Sequence, residues 1–210
     1  MIGMIGHLKT KKIPKKKTAE EGNAKTVQSN DEDTIDPTVV PEKRQKAYKI
    51  QSAVINNKGR VRKNNEDNFY LNGTLMPREK MDAGACISAT SSESIQMYAV
   101  CDGMGGTDNG EDASYGAVKA LVDRKKDFGK FNDTREFTGA LRSISDEICQ
   151  NADKKGKKSG TTIVALLIKN GMLTLANVGD SRIYRMRNQS LKQISLDHSK
   201  VQRMISMGLL

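Results

Sequence analysis

The sequence predicts an α+β fold in which helices cover antiparallel sheets. Three observations carry the prediction. Apolar alternation with a period of two starts at Tyr48 and returns after residue 160. Two segments of helical period stand between those strand regions. The later strands are joined by Asn170-Gly171, a dipeptide that supplies the positive φ angles of a tight hairpin. Strands, then two helices, then strands again imply layered packing around one core.

In chain order, Tyr48, Ile50, Ser52 and Val54 share one face of a strand that ends at the turn Asn56-Asn57-Lys58-Gly59. Phe69-Tyr70-Leu71 is a short strand closed by Asn72-Gly73. Pro77 to Ser94 reads as a long polar loop. Gln96 to Cys101 is the next strand. A helix from Gly110 to about Lys126 carries Ala113, Ala117, Ala120 and Leu121 on one stripe, small enough to pack closely on a sheet. A second, Asp133 to about Lys154, carries Phe137, Leu141, Ile144 and Ile148 on another, and Asp133 with Glu136 resembles an N-terminal cap. Thr161 to Ile168 and Met172 to Val178 form the Asn170-Gly171 hairpin. Arg182 to Met186 and Leu191 to Ser195 form another around Arg187-Asn188-Gln189, and a last helix begins near His198, with Asp197 as its cap.

Residues 1–46 read as a disordered tail. Lysines from Lys9 to Lys17 form a basic block, Asp31, Glu32, Asp33 and Asp36 an acidic stretch, and Pro37 and Pro41 break it. The folded domain is expected over 47–210. A net charge of +10 suits an anionic partner. Nucleic acid is not expected, since aromatic content is 4% and no zinc-finger, basic-zipper or aromatic-interleaved basic pattern occurs. Cys86, Cys101 and Cys149 form no CxxC pair, as expected of reduced thiols in the cytoplasm. None has an arginine six positions later, which excludes the cysteine-nucleophile phosphatase loop. The longest apolar run, Ile163 to Ile168, falls far short of the roughly 18–20 residues of a membrane span.

Chemistry concentrates in three stretches. In Met97-Tyr98-Ala99-Val100-Cys101-Asp102-Gly103-Met104-Gly105-Gly106 an apolar strand meets one aspartate and then three glycines. A carboxylate beside an exposed glycine carbonyl offers two oxygen ligands to a hard cation such as Mn²⁺ or Mg²⁺. The plainer alternative is an Asp-Gly turn. A dinucleotide fingerprint fits poorly, because the third glycine is missing. Glu66 and Asp67 are adjacent, so on a strand they point to opposite faces and cannot easily ligate one ion together. Arg62, four residues before Glu66, offers a two-pronged donor to phosphate; the alternative is a surface charge cluster. Asp180 and Arg182 at a hairpin corner read as a buried ion pair, and His198 as structural.

Five stretches in this order resemble the metal-dependent protein phosphatases, the type 2C serine/threonine phosphatases in their bacterial form. They are Gly59 to Asn68, Ala99 to Gly106, Ser159-Gly160-Thr161-Thr162, Asn177 to Arg182, and Leu196 to Ser199 with Val201-Gln202. The resemblance implies two antiparallel β-sheets in a sandwich flanked by helices, with two Mn²⁺ or Mg²⁺ ions between them. It implies hydrolysis of phosphoserine and phosphothreonine in phosphorylated proteins, substrates of a serine/threonine kinase among them, by a metal-activated water. Asp102 would bridge the metals, Gly103 would lend its carbonyl, Glu66 and Asp67 would hold metal-bound waters, and Arg62 would grip the phosphate. Three features depart from the pattern. The later Asp-Gly and Asp-Asn motifs are absent, so the domain is expected to be C-terminally truncated and to lack its closing strands. Lys157 and Lys158 replace an acid, and Met104 stands where animal relatives carry histidine. An inactive fragment or phosphoprotein-binding module with an incomplete metal centre is the alternative expectation.

Overall fold

A computed structural model describes residues 2–7, 48–104, 109–154, 156 and 158–210. The elements before the helices are β1 (Ile2–His7), β2 (Ile50–Asn56), β3 (Asp67–Leu71), β4 (Thr74–Leu75), β5 (Ala85–Ser91) and β6 (Ile95–Met104). Then come α1 (Gly110–Asp123) and α2 (Thr134–Lys154). They are followed by β7 (Gly160–Thr161), β8 (Ile163–Lys169), β9 (Met172–Val178), β10 (Tyr184–Arg187), β11 (Ser190–Gln193) and α3 (Lys200–Ser206).

Alternation along β6 sets the layers. Met97, Ala99 and Cys101 point toward α1 and α2, packing with Val118, Leu121 and Phe137. Tyr98 and Val100 point the other way, into a second core shared with Ile50 and Val54 of β2 and with Ile87 of β5. The larger sheet runs β4-β3-β6-β8-β9, with β7 paired to the far end of β6; the smaller runs β1-β2-β5. All these pairings are antiparallel. The result is the expected α+β sandwich of antiparallel sheets, and the described helices α1 and α2 cover the outer face of the larger one.

The alanine stripe of α1 packs as the sequence predicts, with Ala113 and Ala117 almost fully buried. The α2 cap also forms: Asp133 Oδ1 accepts from the Arg135 and Glu136 N–H groups at 2.8 and 3.0 Å, and Glu136 reaches back to the Asn132 N–H at 2.7 Å. Asn170 (φ 53°) and Gly171 (φ 79°) make the tight β8–β9 turn.

Four local expectations change. Pro77 to Ser94 is no loop: a 3₁₀ turn, Arg78–Ala83, leads into β5, whose small and polar residues gain order by pairing with β2, Ile87 opposite Val54. β6 continues through Asp102 to Met104, because β7 pairs with its end. The final helix starts at Lys200, and Ser199 rather than Asp197 caps it, accepting from the Gln202 N–H at 3.1 Å. Ile2–His7, inside the stretch read as a tail, lies antiparallel to β2. The Lys9–Lys17 block, the acidic stretch, Pro37 and Pro41 lie outside the described residues. No described helix is long and apolar enough to cross a membrane.

Tyr70 is fully buried, edge-on to Phe128 at 6.2 Å, and its hydroxyl has no hydrogen-bond partner among the described residues. Burial, with the Glu93 charge behind it, pushes the phenol up to about 12. An unpaired buried hydroxyl costs free energy that a phenylalanine avoids. Tyr70→Phe should therefore leave the unfolding free energy unchanged or raise it by about 1 kcal/mol in urea denaturation. A loss of that size would show that the hydroxyl has a partner.

Candidate functional site

The β3–β6 register places Asp67 directly opposite Asp102. Residues opposed across an antiparallel pair share a face, so both carboxylates project to the side where the two sheets meet. Asp67 is 5% exposed and Asp102 half-buried. Burial first, then the Asp67 charge and a hydrogen bond between the two carboxyls, push Asp102 up to about 6, and the Asp180 charge adds to this. Arg62 pulls the other way but loses: its side chain is 61% exposed and already pairs with Glu66 at 3.4 Å.

Glu66 does not join the pair. Its side chain lies on the opposite side, against the start of α1, where a Cβ on Gly110 would come within 2.9 Å of its Cδ and Oε1. Its main-chain oxygen accepts from the Gly103 N–H at 3.0 Å. Gly103 is wedged so tightly that a Cβ there would sit 2.0 Å from the Gly110 oxygen. Only glycine fits.

The backbones of both aspartates are clamped by side chains. The Asp102 N–H donates to Thr162 Oγ1 (3.1 Å), and the Asp102 carbonyl accepts from Thr161 Oγ1 (3.0 Å) and the Thr162 N–H (2.8 Å). Thr162 Oγ1 meets Ser181 Oγ at 2.6 Å, which ties in the β9–β10 corner. On the other strand, Asn56 Nδ2 donates to the Asp67 carbonyl (3.0 Å), and Asn65 Oδ1 accepts from the Asp67 N–H (3.2 Å). Asn65 Nδ2 in turn binds Asn56 Oδ1 (2.6 Å) and the Met81 carbonyl (2.8 Å), while its main-chain N–H donates to Asp82 Oδ1 at 2.6 Å. Sequence reasoning missed Asn56 and left Asn65 without a role. The signal, asparagine at a strand end and before a strand, also reads as a turn.

Arg182 does not pair with Asp180. Its guanidinium grips Asp197, Nε at 3.1 and 2.9 Å and Nη2 at 2.6 Å from the carboxylate oxygens, and this holds the Asp197 carboxyl below its usual range. Asp180 instead adds its charge to the Asp67–Asp102 pair. Beside this clasp the His198 N–H donates to the Gly179 carbonyl at 2.8 Å, and the Gly179 N–H reaches His198 Nδ1 at 3.4 Å. These two contacts hold His198 against Gly179. Cys101 is fully buried, and burial pushes its thiol well up, away from nucleophilic chemistry.

A cleft of about 490 Å³ opens over the aspartates, lined by Lys58, Gly59, Arg60, Val61, Arg62, Asp67, Val100, Asp102, Ser181 and Arg182. Its floor is carboxylate and its lip cationic. Two carboxyls opposed in register are hard oxygen donors of the kind that fit a divalent cation. Among the described residues, no group of three or more His, Cys, Asp and Glu side chains converges on one point.

Residues 54–203 match the family described as protein phosphatase 2C. The chain belongs to this family. It is 32% identical over 157 residues to the serine/threonine phosphatase stp of Listeria monocytogenes, an alignment covering 72% of this chain and 56% of that protein. It is 31% identical over 163 residues to PstP of Mycobacterium tuberculosis, covering 76% of this chain and 27% of the other. The crystal structure of M. tuberculosis PstP superimposes with a TM-score of 0.59 at 27% identity, over 77% of this chain and 60% of that one. The catalytic domain of PstP in complex with two manganese ions gives a TM-score of 0.59 at 27% identity, over 79% and 63%. The chain thus spans little more than half the length of the Listeria protein, and its aspartate-floored cleft lies within the matched protein phosphatase 2C region.

The raised Asp102 sets a sign for stability. Its folded value, about 6, lies above the reference 3.8, so its contribution is complete below pH 3.8 and is lost as pH rises through 6. Metal-free Asp102→Asn should therefore melt above wild type at pH 7.5, with the gap closing toward pH 4. A variant that melts lower at pH 7.5 would mean the carboxylates do not oppose each other.

Proposed function

We propose that the protein hydrolyses phosphoserine and phosphothreonine in phosphorylated proteins, and that it does so with divalent metal ions. The observation that carries this is the Asp67–Asp102 pair at the floor of a cleft whose lip carries Arg62. Mn²⁺ or Mg²⁺, two ions by analogy with manganese-bound PstP, supplies when bound an acidified water and charge neutralisation at phosphorus.

The chain's own residues do the rest. Asp67 and Asp102 would present carboxylate oxygens to the ions, and the Gly103 carbonyl would be a third oxygen ligand. Thr161, Thr162 and Ser181 keep Asp102 from drifting, and Asn56 and Asn65 do the same for Asp67. Preset ligands avoid reorganisation at the moment of reaction. Arg62 holds two phosphoryl oxygens through its fork; its long 3.4 Å contact with Glu66 keeps it aimed until substrate arrives. Glu66 acts through Arg62 and the Gly103 N–H. We place the protein in the cytoplasm, where Cys86 and Cys149, exposed and unpaired, stay reduced.

Wild type should release phosphate from a phosphothreonine peptide only with Mn²⁺ or Mg²⁺. Asp102→Asn should lose on the order of 10³-fold in kcat, the scale of several kcal/mol of transition-state stabilisation. An unimpaired variant would sink the assignment. Tight peptide binding by wild type without turnover would instead mean a phosphoprotein-binding module, the reading favoured by the lack, among the described residues, of a third converging His, Cys, Asp or Glu side chain.

A further inference from the structure

We infer that the lip of the cleft is an anionic subsite, formed by Lys58 and Arg60, that selects phosphorylated segments carrying acidic side chains beside the phosphoresidue. The inference rests on the phosphatase reading of the floor. Asn57 Oδ1 accepts the Gly59 N–H at 2.8 Å and Gly59 takes φ +79°, so the chain turns sharply between Lys58 and Arg60. Both residues line the same cleft as Arg62, Asp67 and Asp102.

The cations there exceed what one phosphate needs. A phosphoryl group takes one guanidinium fork, which Arg62 supplies. Arg182 is committed to Asp197. Lys58 and Arg60 have no carboxylate partner among the described residues. Acidic side chains are the groups that complete them. Such side chains belong at the lip, since the floor is taken by the aspartates that would hold the metal ions and by the phosphoryl group itself. A nucleic acid fits less well: the lining offers no aromatic ring for a base to stack on.

The test compares two phosphothreonine peptides of equal length, one flanked by glutamates and one by alanines, with p-nitrophenyl phosphate reporting the chemistry separately. The full chain with Mn²⁺ should prefer the acidic peptide by roughly 3- to 10-fold in kcat/KM, carried by KM and fading with added salt. Lys58→Glu with Arg60→Glu should abolish or invert the preference. Lys58→Ala with Arg60→Ala should level it, and matching circular dichroism and melting would establish that both variants fold. Equal kcat/KM on the two peptides while p-nitrophenyl phosphate is turned over would overturn the subsite and leave the phosphatase reading standing. If nothing is hydrolysed, that reading fails, and fluorescence anisotropy of the two peptides decides the subsite: tighter acidic binding supports it, equal binding overturns it. Displacement of the acidic peptide by a single-stranded oligonucleotide at lower concentration than by an unlabelled copy would also overturn it.

Discussion

The structure depends on one register. β3 and β6 pair so that Asp67 faces Asp102, and the same alignment sets Phe69 opposite Val100 and Leu71 opposite Tyr98 on the face between the sheets. A slip of one residue would send Phe69 and Leu71 to the wrong face and pull the carboxylates apart. Apolar burial therefore enforces the alignment that the carboxylates oppose. Two acids in a half-dry site repel each other, as the raised Asp102 reports. The hydrophobic faces of β3 and β6 outweigh that repulsion. In the phosphatase reading, the fold thereby keeps an unfavourable cluster ready for a cation.

The clamps around the pair follow from the same need. Like charges would relax by small backbone shifts if the strand ends were free. At Asp102, three contacts from Thr161 and Thr162 satisfy the main-chain N–H and carbonyl; at Asp67, two asparagine amides do so, Asn56 from the neighbouring sheet and Asn65 from the segment just before β3. The asparagines are themselves buried and satisfied, which makes them stiff. Asn56 belongs to β2 and Asn65 contacts the 3₁₀ turn, so the smaller sheet and that turn both bear on the site. Arg78 continues the chain of contacts from the turn to Glu111 and Asp112 in the first turn of α1, at 2.8 Å each.

What could be read from the sequence was what local pattern controls. The β8–β9 hairpin, both long helices and the cap of α2 follow from alternation, stripe spacing and two or three residues of turn chemistry. Asp102 was visible because an acid followed by glycine interrupts an apolar strand. The opposite orientations of Glu66 and Asp67 follow from strand parity alone. β5 was not visible: of its seven residues only Ile87 is large and apolar, and its order comes from β2. The partner of Arg182 was misassigned because Asp180 is nearer in sequence, while Asp197 arrives only after the β10–β11 hairpin folds back. The Asp67–Asp102 contact is likewise a property of register across a 35-residue separation, which no local pattern encodes.

The claim that this carboxylate pair is the metal anchor is tested most directly by calorimetric Mn²⁺ titration in buffers of different ionisation enthalpy, which counts the protons released. Near pH 6 the account predicts release of about half a proton per chain, falling toward none at pH 8 and absent in Asp102→Asn at either pH. Mn²⁺ binding with a proton count that ignores pH, or that survives in Asp102→Asn, would contradict it.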